Sequence, residues 1–380
     1  MLLGARGCAT ADLPLLPPGA RWVEYLESTG TQWIDTGVKV YDDTNVEITV
    51  KVNTQSEVAF IGSATSTDRF VIRSYSGSLS YGFGSWWANT AATLYNQWRT
   101  LRTDVSMPTV YCDGTSYPTT NTPSAKSGTD SILIFDSFRA NRGDVAVAGV
   151  KIWRGSTLAF DAIPVRKGMV GYMYDRVTGA LFGNAGTGDF VIGPDVVPVE
   201  YIESTGTQWI DTGYVPTATF AFELTYSLAS VGTSNNFVFG FGGGGNGVFA
   251  NLRSSATFAY GSVSQSIALS TLGLDDTNFH TIRGAGGKFY FDGVLGFTGD
   301  TAFISSRTFL LFARNGSTMV YGSIRICGCK IYDADDVLVR SFLPVRVGAG
   351  SSWEGAMMDT LTRRIYRNQG TGAFVYGADV

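Results

Sequence analysis

The sequence predicts an all-β protein built from two tandem sandwich domains, and three observations carry that prediction. Residues 23–37, VEYLESTGTQWIDTG, return at 199–213 as VEYIESTGTQWIDTG, with a single Leu-to-Ile change. Apolar and polar residues alternate with period two in many short runs, the pattern of strands with one buried face. Forty-seven glycines punctuate those runs, and few segments can sustain the 3.6-residue apolar stripe of an amphipathic helix.

The duplication extends past the opening motif. Tyr111-Cys112-Asp113-Gly114 answers Tyr290-Phe291-Asp292-Gly293, Ile163-Pro164-Val165-Arg166 answers Leu343-Pro344-Val345-Arg346, and the Asn-x-Gly-Thr-Gly-x-Phe of 184–190 returns at 368–374. The repeat distance of about 180 residues lies far beyond solenoid or propeller periods. Each copy is therefore expected to bury a core of its own. The expected boundaries are an N-terminal tail or attachment arm over 1–20, a first domain over 21–195 and a second over 196–380, joined by the short segment from Pro194 to Pro198. The tail lacks the basic start and continuous apolar core of a signal peptide.

Val46, Ile48, Val50 and Val52 alternate with Glu47, Thr49 and Lys51, and Phe220, Phe222, Leu224 and Tyr226 alternate with Ala221, Glu223 and Thr225. Those are half-buried strands. Segments 58–61, 70–75, 132–135, 237–241, 288–291 and 309–312 read as further strands between Gly, Ser, Thr and Asn clusters. With β-branched and aromatic residues dominant, a sandwich in each half is the economical architecture. The 28 basic and 32 acidic residues give a net charge of −4, which lacks the clustered Lys and Arg that nucleic acid or an anionic membrane requires. No apolar run approaches the ~18 residues of a membrane span.

The opening Glu-Tyr-Leu/Ile-Glu-Ser-Thr-Gly-Thr-Gln-Trp-Ile-Asp-Thr-Gly carries a resemblance, together with the Tyr-x-Asp-Gly hairpins, Leu311-Phe312-Ala313-Arg314-Asn315, the Lys-Ile-Trp/Tyr runs at 151–153 and 330–332, and the closing Asn-x-Gly-Thr-Gly-x-Phe. The chain resembles the concanavalin A-like, or laminin-G-like, jelly-roll superfamily. Locally it is similar to a domain of gut bacteriophage and prophage structural proteins and of some gut-bacterial surface proteins. The resemblance implies two tandem jelly-roll β-sandwiches over about 21–195 and 199–380. It implies a non-enzymatic virion accessory, a tail fibre or capsid-surface component, that engages host or mucosal glycans or a host-surface protein and meets other virion proteins through its N-terminal tail. A gut-bacterial surface adhesin or carbohydrate-binding protein is the alternative, and a glycoside hydrolase a third reading. The expected location is the virion or the extracellular surface. Fold alone does not choose among these functions.

The glycosidases of that superfamily carry Glu-x-Asp-x-Glu on one strand, which sets acid and nucleophile on one face. That pattern is absent, and the Glu24/Glu27 and Glu200/Glu203 pairs, spaced by three, face opposite ways on a strand. His280, the single histidine, aligns with Arg99 of the first copy, which excludes a shared histidine chemistry and points to a structural strand residue. Cys327-Gly328-Cys329 aligns with Ala148-Gly149-Val150, and Cys112 with Phe291. These cysteines are therefore expected to be buried, reduced and unliganded, as small hydrophobes.

No cofactor is expected. Calcium, common in laminin-G-like domains, would call on Asp333-Ala334-Asp335-Asp336, a stretch better explained as a hairpin turn. The glycine run at 242–247 precedes a strand and so lacks the helix start of a phosphate loop; it reads as a turn. The ligand surface is placed on the first domain at Tyr81, Phe83, Trp86, Trp87 and Asn89. Adjacent strand residues face opposite ways, so one of the two tryptophans would be exposed for stacking, where the second copy has Tyr260-Gly261-Ser262-Val263-Ser264-Gln265.

Overall fold

A computed structural model describes residues 15–63, 69–84, 86–118, 127–137, 142–232, 236–243 and 246–380, without the side chains of Trp86, Trp87 and Ser127. They form two compact units. One runs to Val196 and includes Thr362–Arg364; the other covers Val197–Leu361 and Ile365–Val380. Residues 1–14 of the expected tail lie outside the described residues. Residues 15–20 lead into the strand Ala20–Trp22, which pairs with Thr157–Lys167.

In the first unit one sheet orders its strands Thr115–Pro118, Thr109–Cys112, Trp98–Asp104, Thr44–Val52, Asp144–Arg154, Thr157–Lys167, Val170–Asp175, Leu181–Phe182. The other runs Ile34–Tyr41, Ser127–Ile134, Val58–Ser63, Arg69–Tyr75, Ser78–Gly84, Trp86–Thr93. The second unit repeats the plan. Its first sheet runs Val294–Thr298, Lys288–Phe291, His280–Ala285, Ala221–Leu228, Ile324–Tyr332, Leu338–Ala349, Ser352–Asp359, Ile365–Tyr366, and its second runs Ile210–Asp211, Leu310–Leu311, Phe237–Gly243, Asn246–Asn251, Ser255–Gly261, Val263–Ala268. Each unit is a jelly-roll β-sandwich, because inward residues of both sheets close on one core. Val46, Ile48 and Val50 meet Phe60, Ile72 and Tyr81 in the first, and Phe222, Leu224 and Tyr226 meet Phe239, Phe258 and Tyr260 in the second. A single turn of helix, Leu269–Leu272, ends at Gly273 in the left-handed region, φ 66°.

Cross-strand registers fix residue equivalence between the copies. Glu47 faces Arg102 and Val50 faces Arg99 in the first unit; Glu223 faces Arg283 and Tyr226 faces His280 in the second. Even a bulge is shared, between Val147 and Gly149 and opposite Thr225 and Tyr226. Two expected strands, 132–135 and 309–312, end early. Segment 309–312 is extended only at Leu310–Leu311, because Phe312 turns to φ 65° and points its N–H at the Val238 carbonyl, 2.9 Å away. Phe135 does the same in the first unit, at φ 67° toward the Phe60 carbonyl.

Candidate functional site

The most repeated segment of the chain turns out to be framework. Gln32 is buried; its Oε1 accepts the Thr29 N–H at 2.9 Å and its Nε2 donates to the Asp189 carbonyl at 3.0 Å. Ser28 Oγ donates to the Gln32 carbonyl, and the Trp33 N–H donates to Asn184 Oδ1 at 3.1 Å. Gln208, Thr205, Ser204, Trp209 and Asn368 repeat these bonds, except that Gln208 Nε2 turns to Thr205 Oγ1. Opening and closing motifs are thus laced together in each unit. Glycine is required where the closing loop crosses: a Cβ on Gly186 would sit 2.0 Å from the Thr31 carbonyl oxygen, and one on Gly370 would sit 1.8 Å from that of Thr207. A second lacing joins the Pro-Val-Arg motif to the end of each unit. Arg166 bonds both oxygens of Asp195 at 2.6 and 2.7 Å, and Arg346 bonds both of Asp379 at the same distances.

The glutamates of the opening motif also sit in this framework. Arg325 pairs with Glu203 at 2.6 Å. Its counterpart by register in the first unit is Ala146, so Glu27 lacks that cation. Partial burial, reinforced by the neighbouring Asp144 carboxyl, raises the Glu27 pKa above its ordinary value.

His280 lies at the start of its strand with both ring nitrogens on carboxylates, Nδ1 2.7 Å from Asp292 Oδ2 and Nε2 3.0 Å from Asp276 Oδ1. Arg99, its counterpart, bonds Asp113 at 2.8 Å. The hairpin aspartates match throughout: each accepts the next N–H of the facing strand, from Thr100 and from Thr281, and each holds a left-handed backbone at φ 50° and 48°.

Cys112 and Cys329 are buried free thiols, as expected. Burial, with Asp113 adding to it, pushes the Cys112 thiol up to about 11, and burial raises Cys329 as well. Cys327 corrects the expectation of three reduced thiols. It is buried but disulfide-bonded. Asp333 closes the hairpin turn foreseen for 333–336, its Oδ1 accepting the N–H groups of Asp335 and Val337 at 3.0 Å. Among the described residues no group of three or more His, Cys, Asp or Glu side chains could hold a metal ion. The glycine run lies between paired strands that meet at Gly243 and Asn246, with Gly244 and Gly245 outside the described residues.

Of the aromatic group on the first unit, Tyr81 and Phe83 are buried at 5% exposure and face inward beside Leu79. Trp86 and Trp87 pair by backbone with Phe83 and Gly82 on the edge strand, and their side chains lie outside the described residues. Asn89 is exposed. Tyr81 and Phe83 line a shallow cleft between the sheets, with Phe70 and Ile72 beside them and Asp104, Val105 and Pro108 across the mouth. The Tyr81 hydroxyl donates to the Pro108 carbonyl at 3.0 Å. The cleft has room inside for about one water molecule, so a larger ligand would lie across the mouth.

Register explains the cleft. Phe258 and Tyr260 stand where Tyr81 and Phe83 stand, so the aromatic pair is common to both copies. The residues opposite differ, since Val110 and Cys112 replace Phe289 and Phe291, and Val46 replaces Phe222. In the second unit Phe289 packs on Tyr260 at 5.4 Å, and Phe303 packs on Tyr260 and Phe241 at 6.1 and 5.3 Å. The segment carrying Phe303 crosses the mouth, with the Gly299 N–H on the Gly287 carbonyl and the Asp300 N–H on that of Tyr260. The corresponding segment 119–126 lies outside the described residues and contains no aromatic residue. Of the five residues singled out in the sequence, Tyr81 and Phe83 line this cleft; Asp104, Val105 and Pro108 line it too and carried no sequence signal.

No protein-family model matches the chain, and no curated protein does. Among solved structures, it is similar to domains LG4-5 of the mouse laminin alpha1 chain, with 11% identity, 100% of this chain and 98% of that one covered, and a TM-score of 0.29. Similarity to the LG1-3 region of the laminin alpha2 chain has 10% identity, coverage of 95% and 66%, and a TM-score of 0.27. For a mutant of the NanB sialidase from Streptococcus pneumoniae the values are 9% identity, coverage of 91% and 74%, and a TM-score of 0.26.

Proposed function

We propose that the chain is a non-enzymatic binding or structural protein whose first unit carries the recognition surface. One observation supports this most directly. Two copies share a hydrogen-bonded framework almost bond for bond, yet the first packs Val110 and Cys112 in its core where the second packs Phe289 and Phe291, and the first has a cleft lined by Tyr81, Phe83, Val105 and Pro108. A repeated scaffold whose copies diverge where one of them has a cleft is what a change of ligand in that copy would leave. The proposed surface takes in the mouth above Tyr81 and Phe83, the edge strand with Trp86, Trp87 and Asn89, and the Asp104–Pro108 turn. Its ligand is a host or mucosal glycan, an aromatic face stacking on a sugar ring beside polar groups. The local motif resemblance supports the setting, a phage or prophage virion accessory.

The test is a glycan array with the full chain and with Trp86→Ala and Trp87→Ala variants checked for unchanged melting. Loss of a defined glycan signal in one folded variant supports the reading. Signal unchanged in both, or sugar release from the arrayed polysaccharides, overturns it. Mass spectrometry of purified virions from a lysogen encoding the chain tests the setting.

A further inference from the structure

We propose that His280 is a proton-held latch: as an imidazolium it ties the loop before its strand to the hairpin after it, and loss of its proton releases that loop in the second unit only. The geometry argues this directly. Ionised carboxylates accept hydrogen bonds and cannot donate them, so a ring with Asp292 at 2.7 Å on Nδ1 and Asp276 at 3.0 Å on Nε2 needs an N–H on both nitrogens. Only the protonated ring has two. The bridge adds the loop before the strand to a strand and hairpin that Thr281 and Asp292 already hold together. Asp276 is held to its loop by the Asn278 N–H and Nδ2, both at 2.7 Å, while Asp292, in the hairpin turn, is held to the His280 strand by the Thr281 N–H at 2.8 Å.

The groups facing the ring are Asp276 from the loop, Asp292 from the hairpin and Tyr226 from the opposite strand, its ring centroid 6.2 Å away. Tyr226 is fully buried and burial raises its pKa, so it stays a neutral phenol. For His280, burial acts to lower the pKa, but the bonds to Asp292 and Asp276 outweigh it and the net direction is upward. A raised pKa in the folded state means stabilisation that is complete below the ordinary value of about 6.5 and lost as pH rises through the folded value. The first unit supplies the control. Arg99 holds Asp113 in the same register, and a guanidinium keeps its charge throughout this range.

His280 is the chain's single histidine, so histidine-labelled full-length protein gives one imidazole to titrate by nitrogen NMR. The expected result is a ring protonated on both nitrogens at pH 6.5, with a midpoint above that value. Hydrogen exchange, corrected for intrinsic rates, should rise about tenfold in residues 274–280 across the midpoint and stay flat in 93–99. His280→Arg should hold 274–280 protected at every pH. A ring neutral at pH 6.5 overturns the proposal, and so does loop exchange indifferent to its charge. If His280→Arg fails to fold, the wild-type titration and exchange still decide.

Discussion

The two units reach the same strand order with different interiors. Around the strand at the centre of the first sheet, the first unit places Val46, Val50, Val110 and Cys112 where the second has Phe222, Tyr226, Phe289 and Phe291. What they share is the bonding of Ser28, Gln32, Trp33, Arg166 and Asp113 and of their counterparts. The comparison teaches that topology here is held by a polar lacing and a burial pattern, while the size of core side chains is free to vary.

The largest expected effect tests the crowded core. Phe289 is fully buried among Phe222, Phe239, Phe258, Tyr260, Phe291 and Phe297. Phe289→Ala should cost about 3–5 kcal/mol, while Val110→Ala in the first unit should cost distinctly less. Urea denaturation followed by hydrogen exchange, which reports each unit separately, measures both. Equal losses would break the contrast.

Next comes the shared lacing, where the copies should behave alike. Gln32→Ala and Gln208→Ala each remove a buried amide whose oxygen accepts a partly buried backbone N–H and should each cost about 1–3 kcal/mol. A large effect in one unit and none in the other would show that the repeated motif does not play one role.

The clamps should separate the units again. The Asp195 side chain is 10% exposed and that of Asp379 is 53% exposed. Arg166→Ala is expected to cost about 2 kcal/mol, between the values for buried and surface pairs, and Arg346→Ala under about 1 kcal/mol. The Arg166 guanidinium holds the Asp195 carboxyl below the usual carboxylate range. Its stabilisation is present above that range and lost as pH falls through the depressed value. Acid unfolding of wild type against Arg166→Ala checks the sign: the variant should lose this part of its pH dependence. The smallest effect is Tyr81→Phe, which removes the bond to the Pro108 carbonyl and should cost about 0.5–1.5 kcal/mol, read as faster exchange in 105–108.

Much of this was legible in sequence. Period two marked Val46 to Val52 and Phe220 to Tyr226 as inward, and the alignment of Cys329 with Val150 announced its burial. The repeat also paired His280 with Arg99 correctly. The same periodicity set Tyr81 and Phe83 on the buried face with Leu79, and Phe258-x-Tyr260 in the second copy repeated it. Other features had no local signal. The positive φ of Phe135 and Phe312 depends on what the neighbouring strand offers as an acceptor. Asp276 reaches His280 through a loop, where no periodicity applies. Cys327 is disulfide-bonded and Cys329 is free, a difference that core alignment could not reveal.

The lacing of opening motif to closing motif has an evolutionary consequence. Because each sandwich brings its own two ends together through Gln32 and Asp189, Trp33 and Asn184, or Trp209 and Asn368, the stretch of gene that encodes it begins and finishes at one spot on the folded surface. Copying that stretch in tandem adds a whole bead without cutting any sheet. It also leaves the earlier bead's bonds intact, so one copy could drift toward a new task while the other kept its original form.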